Sequence, residues 1–258
     1  MATIADQLTQ LQADKEALVN FLVDNEIEAT NDDTFTTLIP KLQDIKGSGS
    51  EDSSEYFNNT ISNGYSSVPG WAKTIKKLPT FVMEGTSCSY MFYQYQGTEL
   101  DLSNFDTSQV TTFEYAFASM PNIKVLNLNN LNTSKVKNFS NTFAYTYVEE
   151  LYINDWDVSS ATTLSRLCAG MNKLKTIDLS SWNVEHVTNI GNMFYSCDSL
   201  MEIDIRTFDF NKITGVTSIF HGVPVNCEII VKDDYAKQVV LTERPDFTNV
   251  KTVAELEA

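Results

Sequence analysis

Apolar positions recur through the middle of the chain with a period of 25 or 26 residues. Five segments align, and a sixth start follows them: Leu100, Leu126, Leu151, Ile177, Ile203 and Ile229. The first and third positions of the five segments are leucine or isoleucine, which predicts a short strand with one buried face. A fixed period of this length indicates a solenoid, in which each repeat buries its apolar face against its neighbours.

Further apolar columns follow the strand in every repeat. Position six holds a large side chain: Phe105, Leu131, Trp156, Trp182 and Phe208. Positions eleven, fourteen and eighteen are also apolar, and this helical spacing predicts a short helix or 3-10 turn on the opposite side of the coil. Position eighteen is Phe in four repeats and Cys168 in the third, so we expect this thiol to be a small buried hydrophobe.

The predicted fold class is an α/β repeat solenoid of the leucine-rich-repeat kind. It has a parallel sheet on one side, short helices or 3-10 turns on the other, and a small N-terminal helical module. The predicted domains are a helical anchor (1–45), a flexible linker (46–56), an N-terminal cap (57–99), five repeats (100–228) and a C-terminal cap (229–258).

Position seven of the repeat is always Asp or Asn: Asp106, Asn132, Asp157, Asn183 and Asp209. We expect a structural ladder, in which each side-chain oxygen accepts a hydrogen bond from backbone N–H groups of its own turn or of the next coil. The alternative is a row of carboxylates for catalysis or Ca²⁺ binding. It is disfavoured because Asn alternates with Asp and no aspartate-rich Ca²⁺ loop with its glycine occurs.

Outward strand positions carry short polar groups and one tyrosine, which suit hydrogen bonding to glycan hydroxyls and stacking on a sugar ring. The candidate ligand-binding residues are Asp101, Asn127, Tyr152, Asn154, Asp178, Asp204 and Arg206. The alternative is that these are solvent-facing sheet residues without a ligand.

The spacing of apolar residues in the N-terminal module predicts a helix. Its apolar seam is formed by Ile4, Leu8, Leu11, Leu18 and Leu22 and is interrupted by Lys15. A second short helix follows within 35–45. A helical hairpin this small cannot cover its own apolar surface, so we expect it to pack on another copy, another protein or the solenoid. Self-association, with a trimer as one candidate, is the simplest arrangement; a local cap on the solenoid is the alternative. The Gly/Ser-rich tract after Lys46 favours a tethered module.

Composition and motifs argue against several classes of function. The 258 residues contain 18 Lys+Arg against 34 Asp+Glu, a net charge of −16, which argues against nucleic acid as a partner. Two histidines and four widely spaced cysteines disfavour metal sites and His-based catalysis. Phosphate-binding, dinucleotide-binding, nucleophile-elbow and zinc-protease motifs do not occur. We therefore expect no enzyme activity, cofactor or metal, and no membrane insertion.

The block LDLSNFDTSQVT and the later CDSL close resemble the 25-residue repeats of BspA-like leucine-rich-repeat surface proteins, over about 87–230. The resemblance implies a right-handed binding solenoid without enzymatic activity. The start MATIADQLTQL followed by TFTTLIPKL is similar to leaders of virion proteins from phages of Gram-positive bacteria, including tail, baseplate and head-fibre components. Members at the cell surface carry a signal peptide or lipobox, and neither is recognised in this sequence.

The leading functional expectation is a virion structural protein, assembled in the host cytoplasm. Its residues 1–45 bind other virion proteins, and its solenoid binds a host cell-wall glycan or surface protein. The alternatives are a bacterial cell-surface or secreted adhesin and a cytoplasmic scaffold.

Overall fold

The computed structural model describes residues 86–103 and 105–258, two short strands at 59–61 and 81–83, and positions 19 and 30. The elements described are β1 (Asn59–Ile61), β2 (Phe81–Met83), β3 (Val125–Asn127), β4 (Glu150–Tyr152), β5 (Thr176–Asp178), β6 (Glu202–Ile205), β7 (Glu228–Val231), α1 (Asp234–Glu243), β8 (Val250–Thr252) and α2 (Val253–Leu256). The predicted anchor, its seam from Ile4 to Leu22 and the linker lie outside the residues described, apart from positions 19 and 30.

All strand pairs are parallel, as the repeat predicts. Strands β3 and β4 pair with Leu126 opposite Leu151, and β5, β6, β7 and β8 form a second sheet in that order. In the second sheet Ile177, Ile203 and Ile229 are directly aligned. Equivalent repeat positions therefore stack one above another, which confirms the parallel-sheet solenoid. Strands β1 and β2 form a separate parallel pair.

The opposite side of each coil consists of consecutive turns. In the coil of 113–119, the N–H groups of Phe113, Tyr115 and Phe117 donate to carbonyls of the next coil, at 2.9–3.2 Å. The N–H of Ala116, between them, donates three residues back to Phe113. The i→i−3 bond is that of a 3-10 turn, but a continuous helix does not form, because alternate N–H groups serve the neighbouring coil.

Two positions in each of these turns adopt left-handed backbone angles, and they also prevent a helix. They are positions sixteen and twenty of the repeat, for example Tyr115 (φ 55°) and Ser119 (φ 59°). The same turn pattern already begins at Ser87, which bridges to Thr112, inside the segment that the sequence assigns to the N-terminal cap.

The core lies between the two sides and consists of the predicted columns. Position-eighteen side chains are fully buried, and the rings of Phe117 and Phe143 stack at 5.8 Å. Where Cys168 replaces Phe, the indole of Trp156 lies 5.6 Å from Phe143 and occupies part of the space. Core positions that remain partly exposed are Leu100, Leu151 and Val216.

The C-terminal segment closes the last coil. Asp233 caps the N-terminus of helix α1, where its side chain accepts the N–H of Ala236 at 2.9 Å. At the other end of α1, Arg244 Nη1 donates to the carbonyls of Phe220 and Val223. The carboxylate of Glu243 accepts from backbone N–H groups of the same last coil. These side chains take the place of the hydrogen-bond partners that a further coil would supply.

Candidate functional site

The position-seven side chains form short loops within their own turns. Each Asp or Asn oxygen accepts the backbone N–H two residues further on, at 2.9–3.1 Å; the acceptors are Asp106, Asn132, Asp157, Asn183 and Asp209. This is the Asx turn, which satisfies a backbone donor where the chain changes direction. Among the residues described, no group of three or more His, Cys, Asp and Glu side chains is placed to hold a metal ion.

These hydrogen bonds also lower the pKa values of the aspartates in the position-seven ladder. Hydrogen bonds from Ser108 lower the pKa of Asp106, and those from Ser159 lower the pKa of Asp157. The pKa of Asp209 is lowered by Asn211 and by Lys232, whose Nζ lies 3.2 Å from the carboxylate. Each donor favours the charged carboxylate, so the ladder stabilises the turns most when it is ionised.

Two further ladders repeat this geometry, and sequence reasoning missed them. On the strand side, position-two oxygens accept N–H groups two residues on: Asp101, Asn127, Asp178 and Asp204, at 2.8–3.1 Å. On the turn side, position thirteen does the same through Thr112, Asn138, Thr163 and Asn189, at 2.9–3.2 Å. The signal was present, since Asp, Asn or Thr recurs at both positions of the repeat.

We define the sheet face as the residues predicted to point outward from the strands: Asp101, Asn127, Tyr152, Asn154, Asp178, Asp204 and Arg206. The strand-side ladder is made of residues of this face. Asp101, Asn127, Tyr152, Asn154 and Asp178 are exposed. Several of these already hold their own turns, so fewer oxygens are available to a ligand. The Tyr152 hydroxyl, on a side chain 41% exposed, donates to Glu150 at 2.6 Å, and this bond raises the pKa of Tyr152.

Asp204 and Arg206 differ from the other sheet-face residues. Asp204 is only 5% exposed, because its neighbour in the added strand β7 is the apolar Ile230 and the guanidinium of Arg206 lies on its carboxylate. The pair is bidentate: Arg206 Nε lies 3.0 Å from Asp204 Oδ1 and 2.9 Å from Oδ2, and Nη2 also donates to Oδ2. Sequence reasoning placed both side chains outward as separate ligand contacts, whereas the structure pairs them with each other.

Exposed rings lie on the turn side, where sequence reasoning did not look for a site. Tyr145 and Tyr147 are 48% and 45% exposed. The rings of Tyr90 and Tyr115 stack at 4.7 Å, nearly parallel. We call the outward residues of this side, at repeat positions sixteen and twenty and next to them, the turn face.

The cysteines are free and buried. Burial raises the pKa of Cys168 well above its ordinary value, and raises that of Cys197 to about 12. Such thiols stay protonated at neutral pH and act as apolar core groups. None of the helices in the described part of the chain is long and apolar enough to cross a membrane.

Comparison with known proteins gives one family. No curated protein and no solved structure matches the chain significantly. A family model described as "Mycoplasma protein of unknown function, DUF285" matches residues 86–148 and 112–231, which together cover more than half of the chain and nearly all of the coils. The match is consistent with the resemblance to BspA-like surface repeat proteins. The chain therefore belongs to the DUF285 repeat family.

Proposed function

We propose that the protein is a non-enzymatic binding component of a phage virion, attached through residues 1–45 and presenting its solenoid to the host envelope. The observation that carries the binding role is the contrast between a uniform interior and a variable exterior. Position eighteen is apolar and buried in every coil, whereas position sixteen, which is partly exposed except at the nearly buried Asn141, changes from Tyr115 to Asn141, Arg166 and Asn192. Extended surfaces of this kind are what repeat proteins use for binding.

The hydrogen bonding of the coils supports the same role. Backbone groups bond to the next coil or to Asx side chains of their own turn, so outward positions outside these ladders can vary without loss of the framework. A rigid, variable exterior suits recognition. The net charge of −16 disfavours nucleic acid as the partner.

The virion assignment rests on the sequence. The segment 1–45 has an apolar seam that a small hairpin cannot cover, and a Gly/Ser-rich tract separates it from the coils. A homo-oligomer or a virion partner would bury that seam.

A bacterial surface or secreted adhesin is the second candidate, and membership of a repeat family consistent with BspA-like surface proteins favours it. Mass spectrometry of purified particles and of the cell-envelope fraction, from a culture that produces the protein, separates the two. The virion proposal expects the chain in gradient-purified particles at a constant ratio to the major capsid protein. Enrichment in the cell envelope without enrichment in particles would overturn it in favour of the adhesin.

A further inference from the structure

Tyr145 and Arg166 form an ordered pair on the turn face. Arg166 Nη2 donates to the Tyr145 hydroxyl at 3.1 Å, and Arg166 Nε donates to Asn141 Oδ1 at 3.1 Å. Asn141 is itself nearly buried, which fixes one end of the guanidinium. The three residues come from adjacent coils, so the arrangement exists only in the stacked solenoid.

The ring of Tyr145 packs against the backbone of the next coil. It lies against Gly170 of the next coil so closely that a Cβ at 170 would stand 2.4 Å from Tyr145 Cδ1. Gly170 has φ +75°, in the region that favours glycine. The ring therefore rests on backbone while 48% of the residue stays exposed. An exposed aromatic ring held in one orientation is a stacking platform.

Arg166 differs from the two other arginines of the chain. Arg206 and Arg244 each pair with an aspartate, Asp204 and Asp246 respectively. The partners of Arg166 among the described residues are two uncharged groups. A guanidinium held by neutral side chains retains its capacity to bind an external anion.

The backbone at this place is costly for the side chains it carries. Tyr145 (φ 59°) and Arg166 (φ 56°) both lie in the left-handed region. The same positions are left-handed in other coils as well, with Asn192 and Gly222, which tolerate this conformation, but also with Tyr115 and Gln94. The left-handed angles therefore belong to the architecture of the coils, and the site itself rests on the contact between Tyr145 and Arg166.

The geometry points to a binding site on the turn face for an anionic saccharide, with Tyr145 stacking on the sugar ring and Arg166 binding its carboxylate or phosphate. Asn141 is a positioning residue that orients the guanidinium. The inference deepens the binding role of the proposed function, on which it rests, by naming the ligand class and moving the site from the sheet face to the turn face.

The test is calorimetric titration of the full-length protein with three probes: oligogalacturonate, a phosphorylated mannan oligosaccharide and neutral dextran oligosaccharide. We expect binding to at least one anionic probe to exceed binding to dextran, and the stronger of the two identifies the anion. Tyr145→Ala should weaken that binding at least about tenfold, which corresponds to loss of a good stacking contact. Arg166→Gln should remove the preference over dextran. Tyr235→Ala, at an exposed tyrosine of helix α1, is the matched control and should bind as the parent does. Tyr152→Ala tests the sheet face as the alternative location of the site.

Circular dichroism and thermal melting check that each variant is folded. Tyr145→Phe, which keeps the ring and loses the hydroxyl bond to Arg166, replaces Tyr145→Ala if the alanine variant does not fold; it should keep stacking and bind the anionic probe more weakly. Equal binding of all probes by the parent, or loss of binding in Tyr152→Ala with Tyr145→Ala unaffected, overturns the inference. The particle measurement above is independent, so failure here leaves the virion proposal standing and the reverse also holds.

Discussion

The indole N–H of Trp182 donates to the backbone carbonyl of Ile153 in the preceding coil, at 3.2 Å. The indole of Trp156 makes the same bond to Leu128, at 2.9 Å, and the two rings stack with centroids 6.4 Å apart. Position six of the repeat thus joins coils in two ways, through apolar contact and through a hydrogen bond across the core. Both effects can be separated by substitution.

Trp182→Ala should lower the free energy of unfolding by about 3–5 kcal/mol, as for other large buried aromatics. Trp182→Phe keeps much of the apolar contact but loses the bond to Ile153, and should cost about 1–2 kcal/mol. Urea denaturation followed by circular dichroism measures both. Asp178→Asn is the control, since Asp178 is exposed and Asn keeps the Asx acceptor, and it should fall within about 0.5 kcal/mol of the parent. Equal effects of Trp182→Ala and Asp178→Asn would show that the inside and outside of the coil have been confused.

The position-seven ladder should tolerate an amide and reject an alkyl group. Asp157→Asn keeps the acceptor for the Ser159 N–H, so its unfolding free energy at pH 7 should stay within about 0.5 kcal/mol of the parent. Asp157→Leu leaves that donor without its partner and should cost about 1 kcal/mol. Thermal melts with and without Ca²⁺ provide the measurement. A Ca²⁺-dependent rise in melting temperature that Asp157→Asn abolishes would favour the metal alternative.

Asp157 should also contribute to acid sensitivity. Its pKa is lowered in the folded protein by hydrogen bonds from Ser159, so its stabilisation is present above the unfolded value of about 3.9 and is lost as the pH falls through the folded value. Urea melts between pH 2.5 and pH 6 should show a smaller acid loss of stability for Asp157→Asn than for the parent. Parallel curves for the two proteins would exclude the carboxylate as a contributor.

Glu243 should have the opposite effect on the pH dependence of stability. Burial raises its pKa, because one carboxylate oxygen, Oε2, is buried without a hydrogen-bond partner. A group with a raised pKa stabilises the fold below its unfolded value, and the contribution is lost as the pH rises through the folded value. The stability of Glu243→Gln should therefore rise relative to that of the parent as the pH increases from 4 to 7. An unchanged difference across that range in urea melts would show that Glu243 does not titrate with folding.

Replacement of Gly170 by alanine should cost more stability than replacement of Gly191 in the next coil. Gly170→Ala places a Cβ 2.4 Å from the Tyr145 ring at a positive φ and should cost about 1–2 kcal/mol. Gly191→Ala is the matched control, because the φ of Gly191 is not in the left-handed region. A Cβ added there would lie 3.2 Å from its nearest neighbour, Asn189 Oδ1. We expect less than about 1 kcal/mol for Gly191→Ala. A larger loss at Gly191 than at Gly170 in urea melts would contradict the close contact with Tyr145.

The repeat period made the architecture predictable from the sequence. Leucine and isoleucine at positions one and three fix which strand face is buried, and neighbouring coils hold the same columns in register. The turn side was less predictable, because left-handed angles at Tyr115 and Tyr145 occur in residues whose intrinsic preferences do not indicate them. The pairing of Asp204 with Arg206 depends on the burial that β7 creates, which the pattern of a single repeat does not contain. The Tyr145–Arg166 contact joins adjacent coils and needed the three-dimensional stacking.

We propose that the solenoid folds by itself and that residues 1–45 attach it to the particle. The most direct measurement compares the full chain with a chain of residues 54–258, by light-scattering mass, circular dichroism and incorporation into particles. We predict that the shorter chain is folded, monomeric and absent from particles, while the full chain is incorporated. An unfolded shorter chain would mean that residues 1–45 are a cap, and a folded one that still enters particles would place the attachment in the coils.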